Sequence, residues 1–478
     1  MNYRIITYTL GWVLNCEAAC MILPLICAFL YNEATIFSFL ISIALCLLFG
    51  MTLTIRTPKN KSMYAKEGFI TVALSWILMS IFGSVPFILS GSIPNFIDAV
   101  FETASGFTTT GASVISDVEI LPKSIIFWRS FTHWIGGMGV LVFLVALLPL
   151  SGGNNFYLLK AESPGPSVTK LVPKVKSSAK ILYGIYIFIT LAEIVFLLLG
   201  DMELFDALIT TFGTVGTGGF GIKNSSIADY SPYIQNVVTI FMIISGIDFT
   251  FYYLLLIRRF KFAFQMEEVK TYILIIITSV LIIGFNCRGM FSSVSETLRH
   301  SAFQVSTIIT TTGFATTDFD KWPELSKSIL VLLMFIGACA GSTGGGIKVS
   351  RIMIFLKSIG KEIKIAAHPR STHKLKINGR PIEHETIRSV NVYMAAYITI
   401  LAASVLIISK DNMDFTTNFT AVAATLNNIG PGLAGVGPTQ NFSAYSPLST
   451  IILTLNMIIG RLEIFPLLIL FSPNTWRK

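Results

Sequence analysis

Four short segments rich in threonine and glycine recur along this 478-residue chain, each followed by a long apolar stretch. They are Thr108–Ser113, Thr214–Gly218, Thr311–Ala315 and Asn428–Gly432. Their central glycines are Gly111, Gly216, Gly313 and Gly430, spaced roughly 100 to 120 residues apart. Backbone carbonyl oxygens from several such segments, arranged around one axis, can replace the water that a cation sheds on entering a membrane. The repetition predicts one chain that brings four copies of a hairpin together around that axis.

Glycine suits such a segment because successive inward-facing carbonyls need unusual backbone dihedrals, and glycine reaches a positive φ without a steric penalty. The residue before each central glycine is β-branched, which stiffens the backbone. These residues are Thr110, Val215, Thr312 and Ile429. A single Thr-Thr-Gly sequence would carry no information, whereas four copies between apolar stretches indicate a cation-selective pore. The alternative is that each copy is an ordinary exposed turn.

The composition places these segments in a membrane protein. Hydrophobic residues make up 53% of the chain and charged residues only 13%, about half the charged fraction of an average soluble protein. Crossing a bilayer takes about 20 residues, and the predicted spans are 4–30, 35–55, 67–90, 124–150, 181–200, 231–257, 268–288, 326–357, 388–408 and 445–471. The net charge of +9 reflects cytoplasmic loops and does not indicate nucleic-acid binding.

Lysine and arginine are concentrated in alternate loops, which the positive-inside rule places in the cytoplasm. The segment from Arg351 to Arg388 is the longest of these basic loops. Both termini are then predicted to be cytoplasmic, and all four Thr/Gly segments to lie on the outer side. Each follows a semi-apolar stretch too short to span: 96–107, 203–213, 292–309 and 413–426. We expect these stretches to be re-entrant pore helices, because non-helical backbone at membrane depth must be buried by protein or lined by water.

Longer motifs surround these segments: Glu102–Ala112, His133–Gly139, Glu162–Pro166 and Gly460–Glu463. Through them, nearly the whole chain resembles the TrkH-type membrane subunits of the Trk/Ktr potassium-uptake family. The resemblance implies an all-α polytopic membrane protein with ten transmembrane helices, built from four membrane–pore–membrane repeats in pseudo-fourfold symmetry plus an N-terminal helical hairpin. It also implies a place in the inner (cytoplasmic) membrane, a homodimer, and a cytoplasmic nucleotide-binding ring of the TrkA type as partner.

On this resemblance the chain divides into the hairpin and four pore repeats, with boundaries 1–60, 61–160, 161–262, 263–365 and 366–478. The transported ion would be K⁺, with no organic cofactor and no enzymatic reaction in this chain. The residues that would line the ion sites are Thr109, Thr110, Gly111, Thr214, Val215, Gly216, Thr311, Thr312, Gly313, Asn428, Ile429 and Gly430. Asn428 stands where threonine is expected and Pro431 follows Gly430, so the degree of selection against sodium stays open.

Two features predict a gate below the four segments. Gly337–Gly346 interrupts the span 326–357 with five glycines, each costing about 1 kcal/mol in a helix relative to alanine. The resemblance implies a flexible intramembrane loop here, at 337–346, with Gly341, Gly344, Gly345 and Gly346 as its gate residues; close helix packing is the alternative. Arg461 is a charge within a span, which is functional by default. It would repel potassium beneath the filter, or else form a structural salt bridge to another span.

Other readings of the sequence compete with a potassium pore. A sodium- or proton-coupled secondary transporter would show two inverted halves instead of four parallel copies. A membrane-embedded enzyme would need a convergent catalytic set, and the spans carry no clustered histidine, cysteine or paired carboxylates. Gly216–Gly221 matches a dinucleotide-binding pattern but lacks the preceding strand. The intramembrane acids Glu17, Glu193 and Asp248 have no assigned partner.

Overall fold

A computed structural model describes residues 1–59, 63–139, 175–369 and 374–476 of the chain. The helices are α1 (Tyr3–Cys20), α2 (Ile22–Leu30), α3 (Ile36–Thr54), α4 (Ala65–Gly83), α5 (Val85–Leu89), α6 (Phe96–Phe107), α7 (Lys123–Gly137), α8 (Val175–Leu198), α9 (Leu204–Val215), α10 (Pro232–Ser245), α11 (Phe249–Leu256), α12 (Phe260–Ala263), α13 (Glu267–Asn286), α14 (Val294–Ile309), α15 (Glu324–Met334), α16 (Val349–Ala367), α17 (His384–Ile408), α18 (Phe415–Leu426), α19 (Pro447–Arg461), α20 (Phe465–Phe471) and α21 (Pro473–Trp476). Strands β1 (Lys376–Ile377) and β2 (Arg380–Pro381) form a small antiparallel hairpin. The prediction of a helical protein is therefore confirmed for the described residues.

Six described helices are long and apolar enough to cross a membrane. They are Tyr3–Leu30, Ile36–Thr54, Ala65–Leu89, Ser177–Leu198, Glu267–Asn286 and His384–Asp411. A seventh span is obtained if α10 and α11, which meet at an angle of 89°, are counted together. These helices support a multi-pass membrane protein, although the described residues contain fewer continuous spans than the ten predicted.

The difference arises because several predicted spans are broken near their middle. The stretch 231–257 breaks at Gly246–Asp248, where the Asp248 carboxylate accepts the Thr250 N–H (2.8 Å) and starts a new helix. The stretch 326–357 is interrupted at 335–348, and 445–471 breaks after Arg461. The second half of the predicted span 124–150 lies outside the described residues, as do the Glu162–Pro166 motif and the proposed boundary at 160/161.

The first three helices form two spans, Tyr3–Leu30 and Ile36–Thr54, that pack on each other and on the rest of the chain. Helix α1 lies against α3 and α4. The closest approach is between Gly11 and Gly50: a methyl group added at Gly11 would lie 2.8 Å from the Gly50 carbonyl oxygen. Small residues allow such close packing of membrane helices.

The four predicted pore helices are α6, α9, α14 and α18, and the structure forms a helix at each predicted stretch. Polar residues start three of them: Asn95, Ser293 and Asp414 accept backbone N–H groups of the first turn, which stabilises a helix N-terminus. At Asp414, hydrogen bonds from the hydroxyl and the amide of Thr417 hold the pKa of the carboxyl below its usual range. These four helices are deeply buried towards their C-terminal ends.

Packing around these four helices follows a cyclic order. Helix α6 contacts α4 and α7, and helix α9 contacts α8 and α10. Helix α14 contacts α13 and α15, and helix α18 contacts α17 and α19. Each also contacts the last helix of the preceding set: α7 against α9, α10 against α14, and α15 against α18. Helix α19 packs on α6 and thereby closes the ring.

Four loops that form a candidate cation site

Each pore helix ends in a loop with the same unusual backbone. Loop 1 is 108–113, loop 2 is 216–221, loop 3 is 310–315 and loop 4 is 427–432. Two left-handed residues, separated by one other, occur in every loop: Thr109 and Gly111, Thr217 and Gly219, Thr311 and Gly313, Asn428 and Gly430. The four non-glycine residues have φ between 55° and 57°. Such values are uncommon outside glycine, and their recurrence at one register points to a shared function.

The structure corrects the prediction for loop 2. Thr214 and Val215 are the last residues of α9, and Gly216 caps that helix with a φ of −70°. The left-handed pair lies three residues further on, at Thr217 and Gly219. The prediction was wrong because it relied on a β-branched residue before the central glycine. Such a residue, Val215, precedes Gly216, whereas Gly218 precedes Gly219. Gly216–Gly221, set aside above as a misleading nucleotide motif, is in fact the loop itself.

The four glycines make contact in a closed ring. A methyl group added at Gly111 would overlap the carbonyl oxygen of Gly218 in loop 2. A methyl group added at Gly219 would likewise overlap the carbonyl oxygen of Thr312 in loop 3, and one added at Gly313 would overlap that of Ile429 in loop 4. At Gly430 the added methyl would lie 2.8 Å from the carbonyl oxygen of Thr110, back in loop 1. No side chain fits at these places, so glycine is needed for both its dihedral and its size.

The four loops surround one cavity of about 170 Å³, which we call the vestibule. Gly111, Gly219, Gly313 and Gly430 all line it, whereas Gly216 does not. The segments just beyond the loops are joined by hydrogen bonds around the ring. Val118 and Ala315 donate to the side chains of Asn224 and Ser226, Ala434 donates to Asp320, and the Phe442 N–H donates to the Ser113 carbonyl. Every neighbouring pair of loops is therefore tied together.

Threonine and asparagine side chains hold the loops from behind. Thr110 is within 2.8 Å of the Thr108 hydroxyl, and Thr312 is within 2.8 Å of that of Thr310. The Asn428 amide donates to the Thr110 hydroxyl (2.9 Å) and so links loop 4 to loop 1. These contacts engage the side chains of Thr110, Thr312 and Asn428 with protein groups.

The interrupted segment 335–348 lies against the helix side of the loops. The Gly345 N–H donates to the Thr311 hydroxyl at 2.6 Å. Gly341 and Gly346 have positive φ, while Gly344 and Gly345 have no room for a side chain: a methyl group would lie 2.8 Å from Ala338 and 2.8 Å from the Asn427 carbonyl oxygen, respectively. All four predicted gate glycines are thus required by local geometry.

Neighbouring helices hold both ends of the interrupted segment. The Glu268 carboxylate of α13 accepts the N–H groups of Ala340 (2.7 Å) and Ser350 (3.0 Å). The Cys339 N–H donates to the Gly246 carbonyl (3.0 Å). Asp248, which the sequence left without a role, caps α11 and faces Gly341.

Two cationic side chains reach the carbonyls of this segment. The Lys348 ammonium donates to the carbonyls of Gly344 and Gly345, the latter at 3.1 Å. The Arg461 guanidinium donates to the Thr343 carbonyl (2.8 Å) and to the Thr109 hydroxyl of loop 1 (3.3 Å). It also donates to the carbonyls of Gly136 (2.5 Å) and Gly137 (2.9 Å). Arg461 therefore bridges loop 1, the interrupted segment and the end of α7.

Glu463, two residues after Arg461, pairs with Arg351. Both of its carboxylate oxygens accept from Arg351, at 2.8 and 2.5 Å. The Arg351 guanidinium also lies over the ring of Tyr393, 4.1 Å from its centre. Arg351 follows directly after the interrupted segment, so this pair joins α16 to the break after α19.

Comparisons with known proteins agree with this arrangement. Residues 35–478 match the family model described as TrkH, cation transport protein. The chain is 36% identical to the Trk system potassium uptake protein TrkH of Escherichia coli (strain K12), with 100% of both chains covered. It is 33% identical to the Trk system potassium uptake protein TrkG of the same strain, covering 100% of this chain and 99% of the relative. The crystal structure of the potassium transporter TrkH from Vibrio parahaemolyticus superimposes with a TM-score of 0.90 at 33% identity over 100% of both chains.

Proposed function

The chain belongs to the TrkH family of cation transport proteins and is a transporter, not an enzyme; we propose that it carries potassium into the cell as the ion-permeating subunit of a Trk-type uptake system. The relatives named as Trk potassium uptake proteins, which it matches from end to end, support this substrate. The observation that carries the proposal is the closed ring of four glycine contacts around the vestibule.

The proposed architecture is the one expected from the resemblance. A hairpin, 1–60, precedes four membrane–pore–membrane repeats, at 61–160, 161–262, 263–365 and 366–478, in pseudo-fourfold symmetry. The broken stretches count among the ten spans of this arrangement. Support comes from the cyclic packing of α6, α9, α14 and α18. A secondary transporter with inverted repeats would not give four loops with the same left-handed register.

In the proposed filter, backbone carbonyl oxygens of the four loops take the place of hydration water around K⁺. The residues are those predicted from sequence in loops 1, 3 and 4, with the corrected set in loop 2: Thr109, Thr110, Gly111, Thr217, Gly218, Gly219, Thr311, Thr312, Gly313, Asn428, Ile429 and Gly430. Loop-to-loop hydrogen bonds support a stiff ring. The ring is unequal, because Asn428 and Pro431 distinguish loop 4 from the other three.

The proposed gate is the interrupted segment together with Arg461 and Lys348. Two positive charges on the helix side of the filter oppose a cation there. Opening would require Arg461 to release Thr109 and Thr343, and the segment to leave Thr311. The glycines Gly341, Gly344, Gly345 and Gly346 let the segment fit closely against the loops.

The remaining parts of the proposal concern the surroundings of this subunit. We place it in the inner membrane as a homodimer, with both termini in the cytoplasm and a nucleotide-binding ring of the TrkA type on that side. Helix α16 runs from the interrupted segment to the β-hairpin. There Lys357 donates to Glu267 (2.6 Å) and to the Lys376 carbonyl (3.0 Å). Through α16, a cytoplasmic partner that binds near the β-hairpin would act on the proposed gate.

Potassium uptake by cells that lack their own uptake systems tests the filter and its corrected register. Gly219→Ala should abolish growth at low potassium, because a methyl group there would overlap the Thr312 carbonyl. Gly221→Ala is the matched control: its nearest neighbour is an aromatic carbon 3.8 Å away, an ordinary contact, and growth should persist. Full growth of the Gly219 variant, at equal membrane abundance, would contradict the filter assignment.

A further inference from the structure

A buried ion pair lies directly behind loop 1. The Arg129 Nε of α7 donates to the Glu102 Oε1 of α6 at 2.6 Å, and the two side chains are 4% and 0% exposed. Replacing a buried pair by apolar residues is often neutral or stabilising. Its presence here therefore calls for a role beyond stability.

The Glu102 carboxylate fastens the end of loop 1 that follows the filter glycine. It accepts the Ser113 hydroxyl (3.0 Å) and the Val114 N–H (3.0 Å). Because α6 leads into loop 1 and Ser113 ends it, one carboxylate joins the two ends of the loop. Movement of Glu102 would shift Gly111 relative to its neighbours.

Arg129 extends the connection to loop 2. Its guanidinium lies 3.4 Å from the centre of the Phe220 ring, and Phe220 directly follows Gly219. One turn further along α7, His133 Nδ1 is 2.7 Å from the Gly106 carbonyl, and Nε2 is 3.3 Å from the Phe220 N–H. A neutral imidazole with its proton on Nδ1 satisfies both contacts. Arg129 and His133 therefore tie loop 2 to the helix of loop 1.

The position of Arg129 also matters electrostatically. Its side chain lines the vestibule together with the four glycines. A positive charge beside a cation pathway would repel the ion, and Glu102, at hydrogen-bond distance, offsets that charge.

Corresponding positions of the other loops lack this charged pair. Glu102 lies seven residues before the left-handed Thr109; seven residues before Thr217, Thr311 and Asn428 are Thr210, Gln304 and Ala421. In α19, Gly460 approaches the end of α18 as Gly136 approaches the end of α6. Seven residues before Gly136 is Arg129, whereas seven before Gly460 is the buried Leu453.

We propose that Glu102, Arg129 and His133 are positioning residues that set the potassium selectivity of loops 1 and 2, with Glu102 cancelling the charge of Arg129 beside the ion path. This inference rests on the proposed filter and adds determinants that lie outside the loops themselves.

Proteoliposomes containing the full chain test the inference through two readouts, K⁺ flux and the K⁺/Na⁺ permeability ratio from reversal potentials. Glu102→Gln leaves the arginine charge unbalanced, and flux should fall at least about tenfold, in keeping with the large effect of breaking a buried pair. Glu102→Gln combined with Arg129→Met removes both charges and should restore most of the flux. Glu102→Asp keeps the charge but shortens the reach to Ser113 and Val114, so flux should persist while the permeability ratio falls.

Glu324→Gln is the control, since it breaks the ion pair of an exposed carboxylate with Lys327 in the same helix, α15, and should change neither readout. Thermal unfolding in detergent identifies any variant that does not fold, and Glu102→Asp keeps the test decisive if Glu102→Gln is one of them. Wild-type values for both Glu102 variants would overturn the inference, as would equal loss of flux in Glu102→Gln and the double variant. Absence of potassium-selective flux in the wild-type protein would instead contradict the proposed function.

Discussion

The two glycine-rich regions of this molecule differ in what their carbonyl oxygens face. In loops 1 to 4, the oxygens of Thr110, Gly218, Thr312 and Ile429 face the glycine of a neighbouring loop. In the interrupted segment 335–348, the oxygens of Thr343, Gly344 and Gly345 accept hydrogen bonds from Arg461 and Lys348. In the proposed filter the first set would hold an ion from outside, whereas the second set already binds cationic side chains of the protein.

Glycine therefore serves two purposes in this molecule. Glycine in the loops gives a fixed ring, because neighbouring backbones meet where side chains would be. Glycine in the interrupted segment lets the backbone fit closely against the loops. That backbone is held by hydrogen bonds from charged side chains, which the proposed opening would release. The proposed function requires the first region to stay in place and the second to move.

Enlarging a glycine of the ring should have the largest effect on potassium flux. Gly313→Ala would place a methyl group against the Ile429 carbonyl at a φ of 90°. A strained φ of this kind costs about 1 to 3 kcal/mol, so potassium flux should fall at least tenfold. Gly360→Ala in α16 is the control, since nothing lies within 4 Å of the added methyl. Equal flux in the two variants would show that the ring tolerates movement.

Removing the Arg461 guanidinium should raise the flux, whereas enlarging a glycine of the ring should lower it. Arg461→Ala deletes the hydrogen bonds to Thr343 and Thr109 and the charge below the loops. Basal flux in liposomes without a partner should rise by roughly tenfold, equivalent to about 1.4 kcal/mol of barrier. Unchanged or lower flux would mean that Arg461 is structural and does not gate.

A smaller increase is expected when Lys348 loses its charge. Lys348→Met keeps the length of the side chain but removes the donor to Gly344 and Gly345. Basal flux should rise less than in the Arg461 variant, because Lys348 binds within its own segment and does not reach the loops. Lys327→Met, at a partly exposed lysine on α15, is the matched control. A larger effect for Lys348 than for Arg461 would reverse the assigned roles.

The smallest effect is expected at the hydrogen bond that joins the interrupted segment to loop 3. Thr311→Val removes the acceptor of the Gly345 N–H, a change worth about 1 kcal/mol. Basal flux should rise by at most about fivefold, with the permeability ratio unchanged, whereas Thr311→Ser should behave as wild type. A changed ratio in the valine variant would mean that the side chain acts in selection.

Much of this arrangement could be predicted from the sequence, for identifiable reasons. The pore helices begin and end within two residues of the predicted bounds, because polar caps and semi-apolar patterns mark them locally. The family resemblance, taken from motifs such as Glu102–Ala112, is confirmed by matches over the whole chain. The five glycines of 337–346 correctly indicated an interruption of the helix.

Other features depend on contacts between distant parts of the chain. The register of loop 2 was misplaced by three residues, because Gly218 breaks the β-branched pattern and only the ring contacts identify Gly219. The break after Arg461 has no glycine or proline at its left-handed residues, Glu463 and Ile464, so a continuous helix was the natural prediction. The Glu102–Arg129 pair joins residues 27 apart in sequence, and the motif around Glu102 gave no sign of its partner.

The reversal potential of the purified protein in liposomes, under opposed potassium and sodium gradients, tests the central claim most directly. If the four loops form a potassium filter, the potential should lie near the potassium equilibrium value, and Arg461→Ala should increase the current without moving it. A potential near zero with measurable current, in the wild type or in that more active variant, would contradict the claim and indicate a pore that does not distinguish the two ions.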